Sequence, residues 1–358
     1  MAKNPLTIAL GILLLTCSAG AAPADPNASS KAQSVLSYLA GLPNRPDKKV
    51  ISGQFDGWNG GITNDVQTIF NNTGKWVGII GLSYTFGTDV TAVNALASQY
   101  SAGNGLVDMS IHLYNPVNGT WDNKTPVDLT AAVTAGNPIN DRLNANLDVW
   151  AAGLADLQKN NVPVIAHMLT EMNGCWFWWS CQNPAQFKNL WVYIFNYFTQ
   201  KKGLHNILYQ YSPADGKGNM TGYYPGDGYV DLVGLDFYGG TDLSGAVGEY
   251  QELSGKGKPF TLAEFGVNVD GAACKSDTCD YYPLIANIEK NMPKTVYWMS
   301  WNTGWGMAAQ KNVSALLSDP MVVNRDDMSA SGNPQNNAKF TSHALKLPAS
   351  VKELRSAQ

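Results

Sequence analysis

LNANLDVWAAGLADLQKNNVPVIAHMLTE, Leu143 to Glu171, is the stretch whose periods decide the fold. In its first half Leu143, Leu147, Trp150, Ala151, Leu154 and Leu157 recur at spacings of three and four, which lays one apolar stripe along a helix. VPVIAHML (162–169) then reads as a short strand that is apolar on both faces. A strand of that kind belongs in a parallel sheet covered by helices, because only there are both of its faces buried. An acid, Glu171, follows the strand at once.

The same unit repeats along the chain. Strands are predicted at KVISGQF (49–55), WVGIIGLSYT (76–85), LVDMSIHLY (106–114), VPVIAHML, NILYQYS (206–212), VDLVGLDFY (230–238), FTLAEF (260–265) and TVYWMSW (295–301), with helical stretches between them. Phe187, Leu190, Trp191, Ile194 and Phe198 form a second clear stripe. Eight repeats in the α/β class imply closure into a (β/α)8 TIM barrel. A doubly wound open sheet is the alternative, but it usually carries a glycine-rich phosphate loop after its first strand. GQFDGWNGG (53–61) is glycine-rich yet lacks that spacing.

Residues 1–22 read as a signal peptide: Lys3 supplies the positive end, LTIALGILLL the short apolar run, and SAGAAPA the small residues for cleavage. LLTC, ending at Cys17, resembles a lipid-attachment motif, but Thr16 fits poorly before the cysteine. A secreted protein is therefore expected, with a lipid anchor at Cys17 as the alternative. A polar linker (23–30), a barrel (31–348) and a C-terminal tail (349–358) complete the expected layout. The apolar run is too short for a membrane span.

A net charge of −4 and only four arginines leave no basic footprint for nucleic acid. Past the signal, Cys175, Cys181, Cys274 and Cys279 are an even set in an oxidising compartment, where disulfides are favoured. Proximity in sequence favours Cys175 with Cys181 and Cys274 with Cys279. No CxxC pair occurs and the chain has four histidines, so no metal site is expected.

In a barrel the reactive groups gather where strands end, because the loops there converge on one mouth. Glu171 follows the fourth predicted strand and Glu264 ends the seventh, while His112, Asp236, Tyr238 and Trp301 end others. Glu171 sits beside Trp176, Phe177, Trp178 and Trp179, an odd place for an acid unless the rings form a wall. Two carboxylates in an aromatic mouth suit glycoside hydrolysis, in which one acid protonates the leaving oxygen and the other attacks the anomeric carbon. A retaining pair stands roughly 5 to 5.5 Å apart and an inverting pair roughly 6.5 to 9.5 Å. Sugar faces stack on indole rings, and a partly dry wall keeps one acid protonated near neutral pH.

TEMNGCWFWW, GLDFYG, LAEFG and a tryptophan in the eighth strand together resemble glycoside hydrolase family 26, the retaining β-mannanases. The likeness runs from ISGQF through TGKWVGIIG and SIHLYNP to about Trp305. It implies that Glu171 is the acid/base and Glu264 the nucleophile, with Tyr238 hydrogen-bonded to the latter. It implies sugar contacts for His112 and Trp301, and for Trp176 on the leaving-group side. The chain departs from the family's R-x-x-H-E pattern by carrying His167 and Thr170, and from its aspartate after the second strand by carrying Ser83. His167 and Thr170 are thus expected to touch sugar and shape the choice of glycan, and Asp236 is counted among the candidate substrate contacts.

The expected function is a retaining endo-glycanase, acting as a monomer without a cofactor. The β-1,4-mannans lead as polysaccharide substrate, with β-1,3-xylan or mixed-linkage β-glucan behind. A carbohydrate-binding barrel without activity would normally have lost a glutamate. A metal-dependent or acyl-transferring hydrolase would carry HExxH or GxSxG, and neither is present.

Overall fold

The computed structural model describes residues 21–330 except 59, 60, 270 and 309. The signal segment as far as residue 20, Cys17 included, and everything from residue 331 to the tail lie outside the described residues. Eight parallel strands close on themselves: β1 Val50–Phe55, β2 Ile79–Tyr84, β3 Leu106–Ile111, β4 Val164–Met168, β5 Ile207–Tyr211, β6 Leu232–Phe237, β7 Phe260–Phe265 and β8 Thr295–Ser300. Neighbours in sequence are neighbours in space, and β8 returns to β1 through Ile51 opposite Tyr297 and Ser52 opposite Trp298. This is the (β/α)8 barrel expected from the repeats.

The two stripes bury as their periods require. Leu143, Leu147, Trp150, Leu154 and Leu157 face the sheet from the helix Pro138–Lys159, and Phe187, Leu190, Trp191 and Ile194 from Pro184–Asn196. One connection departs from the pattern. Between β5 and β6 the chain forms only the short 3-10 turn Asp227–Tyr229. Gly216, Gly218, Asn219 and Gly226 there take left-handed backbone angles that interrupt a helix, and buried Met220, Tyr223 and Tyr224 cover the sheet instead.

Ile51, Ile79, Ile165, Leu208, Leu232 and Val296 fill the lower barrel, and the helix Ser30–Gly41 closes its floor with Ala32, Leu36 and Leu39. The segment before that helix is tied down, with Ala24 N–H donating to Asp231 Oδ1 at 2.6 Å and Asp25 paired to His205 at 2.8 Å. Above the apolar layer the interior turns polar. The Tyr297 hydroxyl donates to Asp108 Oδ2 at 3.0 Å, and Thr261 Oγ1 donates to Gln210 Oε1 at 3.1 Å. Among the described residues no helix is long and apolar enough to cross a membrane.

Candidate active site

Directly above the polar layer lies a cleft of about 500 Å³, lined among others by Glu171, Glu264, Tyr238, Trp176, Trp301 and His112. The loop that delivers Glu171 is held in an unusual shape. Leu169, Glu171, Cys175 and Cys181 all take positive φ, at 49°, 52°, 64° and 54°. Such angles cost non-glycine residues energy and persist only where the surroundings enforce them. Here the enforcement is visible. Glu171 N–H donates to Ser212 O at 2.9 Å, and Asn173 gives its amide hydrogens to Ala214 O and Gly218 O while accepting from Ala214 N–H at 2.8 Å. The polar Asn173 in this aromatic run therefore splices the β4 loop to the β5 loop.

Cys175 and Cys181 form a disulfide with Cα atoms 4.9 Å apart, and Cys274 and Cys279 form a second at 6.0 Å. Both are the pairings favoured by proximity. The first closes the loop around Trp176, which is 41% exposed in the cleft and donates from Nε1 to Glu171 Oε2 at 2.5 Å. Trp178 and Trp179 are buried beneath, donating to Leu113 O and Thr170 O. Gly174 is required by the approach of Trp176, since a Cβ there would meet the indole Cζ2 at 2.2 Å.

Glu264 is buried at the end of β7 and accepts from the Tyr238 hydroxyl at 2.6 Å. Gly266 lets that tyrosine and Trp305 close over the strand end, because a Cβ would lie 2.4 Å from Tyr238 Cδ1 and 2.7 Å from Trp305 Cε3. Trp301 stacks on Phe55 with ring centroids 4.0 Å apart. His112 meets Trp121 edge-on at 5.4 Å and Phe177 at 5.6 Å. Burial, helped by the charge of His167, holds its imidazole neutral with a pKa lowered to about 4.

Burial and the neighbouring Asp236 act on both glutamates. Burial and then Asp236 push the Glu171 carboxyl up to about 8, opposed by the Trp176 hydrogen bond and by His167 and Lys217. Burial, Asp236 and Glu171 raise Glu264 as well, while His167 and the Tyr238 hydroxyl favour its ionised form. Because Glu171 and Glu264 repel one another only when both are ionised, a proton kept on Glu171 eases the ionisation of Glu264.

His167, Thr170 and Asp236 do not line the cleft. Each is about 2% exposed and lies under its floor. The Thr170 hydroxyl donates to Asp236 Oδ2, and His167 Nε2 lies 2.6 Å from Ser212 Oγ, 3.0 Å from Thr170 Oγ1 and 3.7 Å from Asp236 Oδ1. The three residues expected to touch sugar are thus buried and absent from the cleft lining. Among the described residues, His167, Asp236 and Glu264 are the one trio of His, Cys, Asp or Glu whose donor atoms lie within 4.8 Å of one another. Burial works against the charge of His167, but Asp236, Asp108 and Glu264 outweigh it and lift its pKa to about 10. The trio thus sets the imidazole of His167 between two acidic side chains.

The cleft also holds residues that the sequence reading passed over: Phe55, Thr85, Trp121 and Trp305. Trp121, 41% exposed, comes from the polar segment NGTWDNKTP, and a lone tryptophan among such residues was a usable signal. Ser83, noted as a departure, is in the lining.

A parallel barrel with two carboxylates at the ends of β4 and β7, in an aromatic cleft, has the make-up of a glycoside hydrolase. Comparison with known proteins narrows this. The model of glycosyl hydrolase family 26 matches residues 24–327, and the chain belongs to that family. It is similar to the mannan endo-1,4-beta-mannosidase of Bacillus subtilis strain 168, with 33% identity over 354 residues, covering 90% of this chain and 96% of the relative. The mannan endo-1,4-beta-mannosidase A and B of Caldalkalibacillus mannanilyticus is 32% identical over 86% of this chain, which spans 63% of that longer protein. A solved structure of a Bacillus subtilis mannanase superposes with a TM-score of 0.79 at 31% identity, covering 90% of this chain and 99% of the other.

Proposed function

We propose that this chain is a secreted, retaining endo-β-1,4-mannanase in which Glu171 is the general acid/base and Glu264 the nucleophile. The observation that carries the reading is the meeting of two glutamates, from the ends of β4 and β7, in one aromatic cleft. Glu171 is pushed up to about 8, so it holds a proton at neutral pH. Glu264 carries the hydrogen bond from Tyr238 and has His167 beneath it. The names of the similar proteins support mannan as the substrate. The two disulfides, together with the apolar N-terminal stretch, support export.

In the first step a Glu264 oxygen attacks the anomeric carbon while Glu171 gives its proton to the glycosidic oxygen, and the bond to the leaving sugar breaks. A glycosyl ester on Glu264 results. In the second step Glu171, now ionised, takes a proton from water, the water oxygen bonds to the anomeric carbon, and Glu264 leaves as a carboxylate. Tyr238 donates to Glu264 Oε2, which leaves the other oxygen to attack. Trp301 and Trp176 offer ring faces on either side of the cleaved bond.

Proton NMR of the first product tests the mechanism, with the β-anomer expected and an initial α-anomer excluding it. Release of reducing ends from mannan, xylan and β-glucan tests the substrate. A second reading, preference for another β-glycan, draws on Ser83, which lines the cleft where the family pattern has an acid. Stronger hydrolysis of xylan or mixed-linkage β-glucan than of mannan would select it.

A further inference from the structure

We propose that His167 is a positioning residue that supplies the buried counter-charge keeping Glu264 ionised and in place, acting together with Asp236. This rests on Glu264 being the nucleophile. His167 lies on β4 between Ser110 of β3 and Gln210 of β5, so its ring points up the barrel interior rather than into the cleft. Its Nε2 is fixed by Ser212 Oγ and Thr170 Oγ1, the same two hydroxyls that engage Asp236 Oδ2. Asp236 Oδ1, which meets no hydrogen-bond donor, is left facing the imidazole at 3.7 Å.

Register places Asp236 directly opposite Glu264 on the paired strands β6 and β7, after an irregularity at Leu235. Two neighbouring buried acids cannot both ionise without a cation. The titratable groups facing His167 are Asp108 from β3, His112 just past its end, Asp236 from β6, Glu264 from β7 and Glu171 from its own loop. His112 is neutral. The positive charge acting on Asp108, Glu171 and Glu264 alike is His167, whereas Lys217 at the rim acts on Glu171. An opposite charge at this range moves a carboxyl by about 1 to 3 pH units.

The test uses covalent labelling by a 2-deoxy-2-fluoro-β-mannobiosyl fluoride, whose leaving group needs little help from an acid, so that the labelling rate against pH reports the ionisation of the nucleophile alone. In His167→Gln the midpoint should rise by about one pH unit. His167→Arg should restore it, and Ser212→Ala, which only loosens the ring, should raise it by less. A midpoint that stays put in both His167→Gln and Ser212→Ala, with the rate falling evenly at all pH values, would mean a merely structural role and overturn the proposal. Should His167→Gln fail to fold, Ser212→Ala decides in the same way. Peptide mapping separates the two layers: a label on a residue other than Glu264 refutes the assignment of the nucleophile, whereas a label on Glu264 with an unmoved midpoint refutes the role of His167 alone.

Discussion

Trp176→Phe removes one hydrogen bond from the acid while keeping an aromatic face in the cleft. In the wild type the indole N–H lies 2.5 Å from Glu171 Oε2 and favours the ionised carboxylate. A hydrogen bond to a charged group is worth about 1.5 to 3 kcal/mol. Because Trp176 is 41% exposed, solvent screens this, and about half is a fair figure. At about 1.4 kcal/mol per pH unit, the Glu171 pKa should rise from its value of about 8 by roughly half a unit to one unit.

Two consequences can be measured. The alkaline limb of kcat/KM, set by loss of the Glu171 proton in the free enzyme, should move up by that amount. At the same time the second step should slow at neutral pH, because a higher pKa leaves a smaller fraction of Glu171 ionised to act as base, so an aryl glycoside with a good leaving group should show a larger burst. An alkaline limb that stays fixed or moves down would refute the assignment of Glu171 as the acid, or of Trp176 as its donor.

Glu264→Ala should lose turnover, and added azide should restore cleavage of an activated β-glycoside with the α-glycosyl azide as product; recovery of the β-azide would place the nucleophile elsewhere. Glu171→Gln should be inactive on polysaccharide yet more stable than the wild type at pH 8. The folded protein binds the Glu171 proton between about 4.5 and 8 where the unfolded chain has released it, so wild-type stability falls as pH rises through that window. After allowance for partial exposure the gain should be about 1 to 2 kcal/mol, read by denaturant unfolding at pH 4 and pH 8, and equal stability at both would contradict it. Replacing Cys175 and Cys181 by serine together frees a short loop, and the chain-entropy relation gives about 2 kcal/mol of lost stability. The same variant should show a weaker hold of Trp176 on Glu171, seen as an alkaline limb shifted in the direction of Trp176→Phe. Gly174→Ala should lower kcat/KM by more than tenfold with little loss of fold, because its new methyl displaces Trp176 rather than the core; unchanged kinetics would show that the indole position is not fixed by this contact.

How far the sequence could be read follows from what each period measures. Every predicted strand contains an observed one, but several run past its end, as at His112 to Tyr114 beyond β3 and Trp301 beyond β8. His112 and Trp301 keep one backbone bond each to the neighbouring strand, to Tyr84 O and Phe265 O, and their side chains line the mouth, so the excess is itself a mark of the site. Periodicity could not show that β5 and β6 are joined without a helix, since buried Tyr223 and Tyr224 supply the same apolar cover from an irregular chain. Trp121 reaches the cleft from a long loop whose path depends on Asn115, which donates to Asp122 O and Thr125 O, and no local rule predicts such a path.

The largest gap between sequence and structure concerns depth. A side chain near the end of a barrel strand lies in the cleft or one layer below it, and alternation along the strand gives the same sign for both. His167 and Thr170, expected to meet sugar because they stand where the family pattern has an arginine and a histidine, are buried outside the cleft lining, next to the positive φ of Leu169 and Glu171. His167 acts by its charge on Glu264 and Glu171, an influence on rate and pH dependence that does not distinguish one β-glycan from another. The side chains placed to meet the sugar include some that reach the cleft from β2 and from the loop after β3. Ser83 offers a short hydroxyl there and Trp121 a broad ring face.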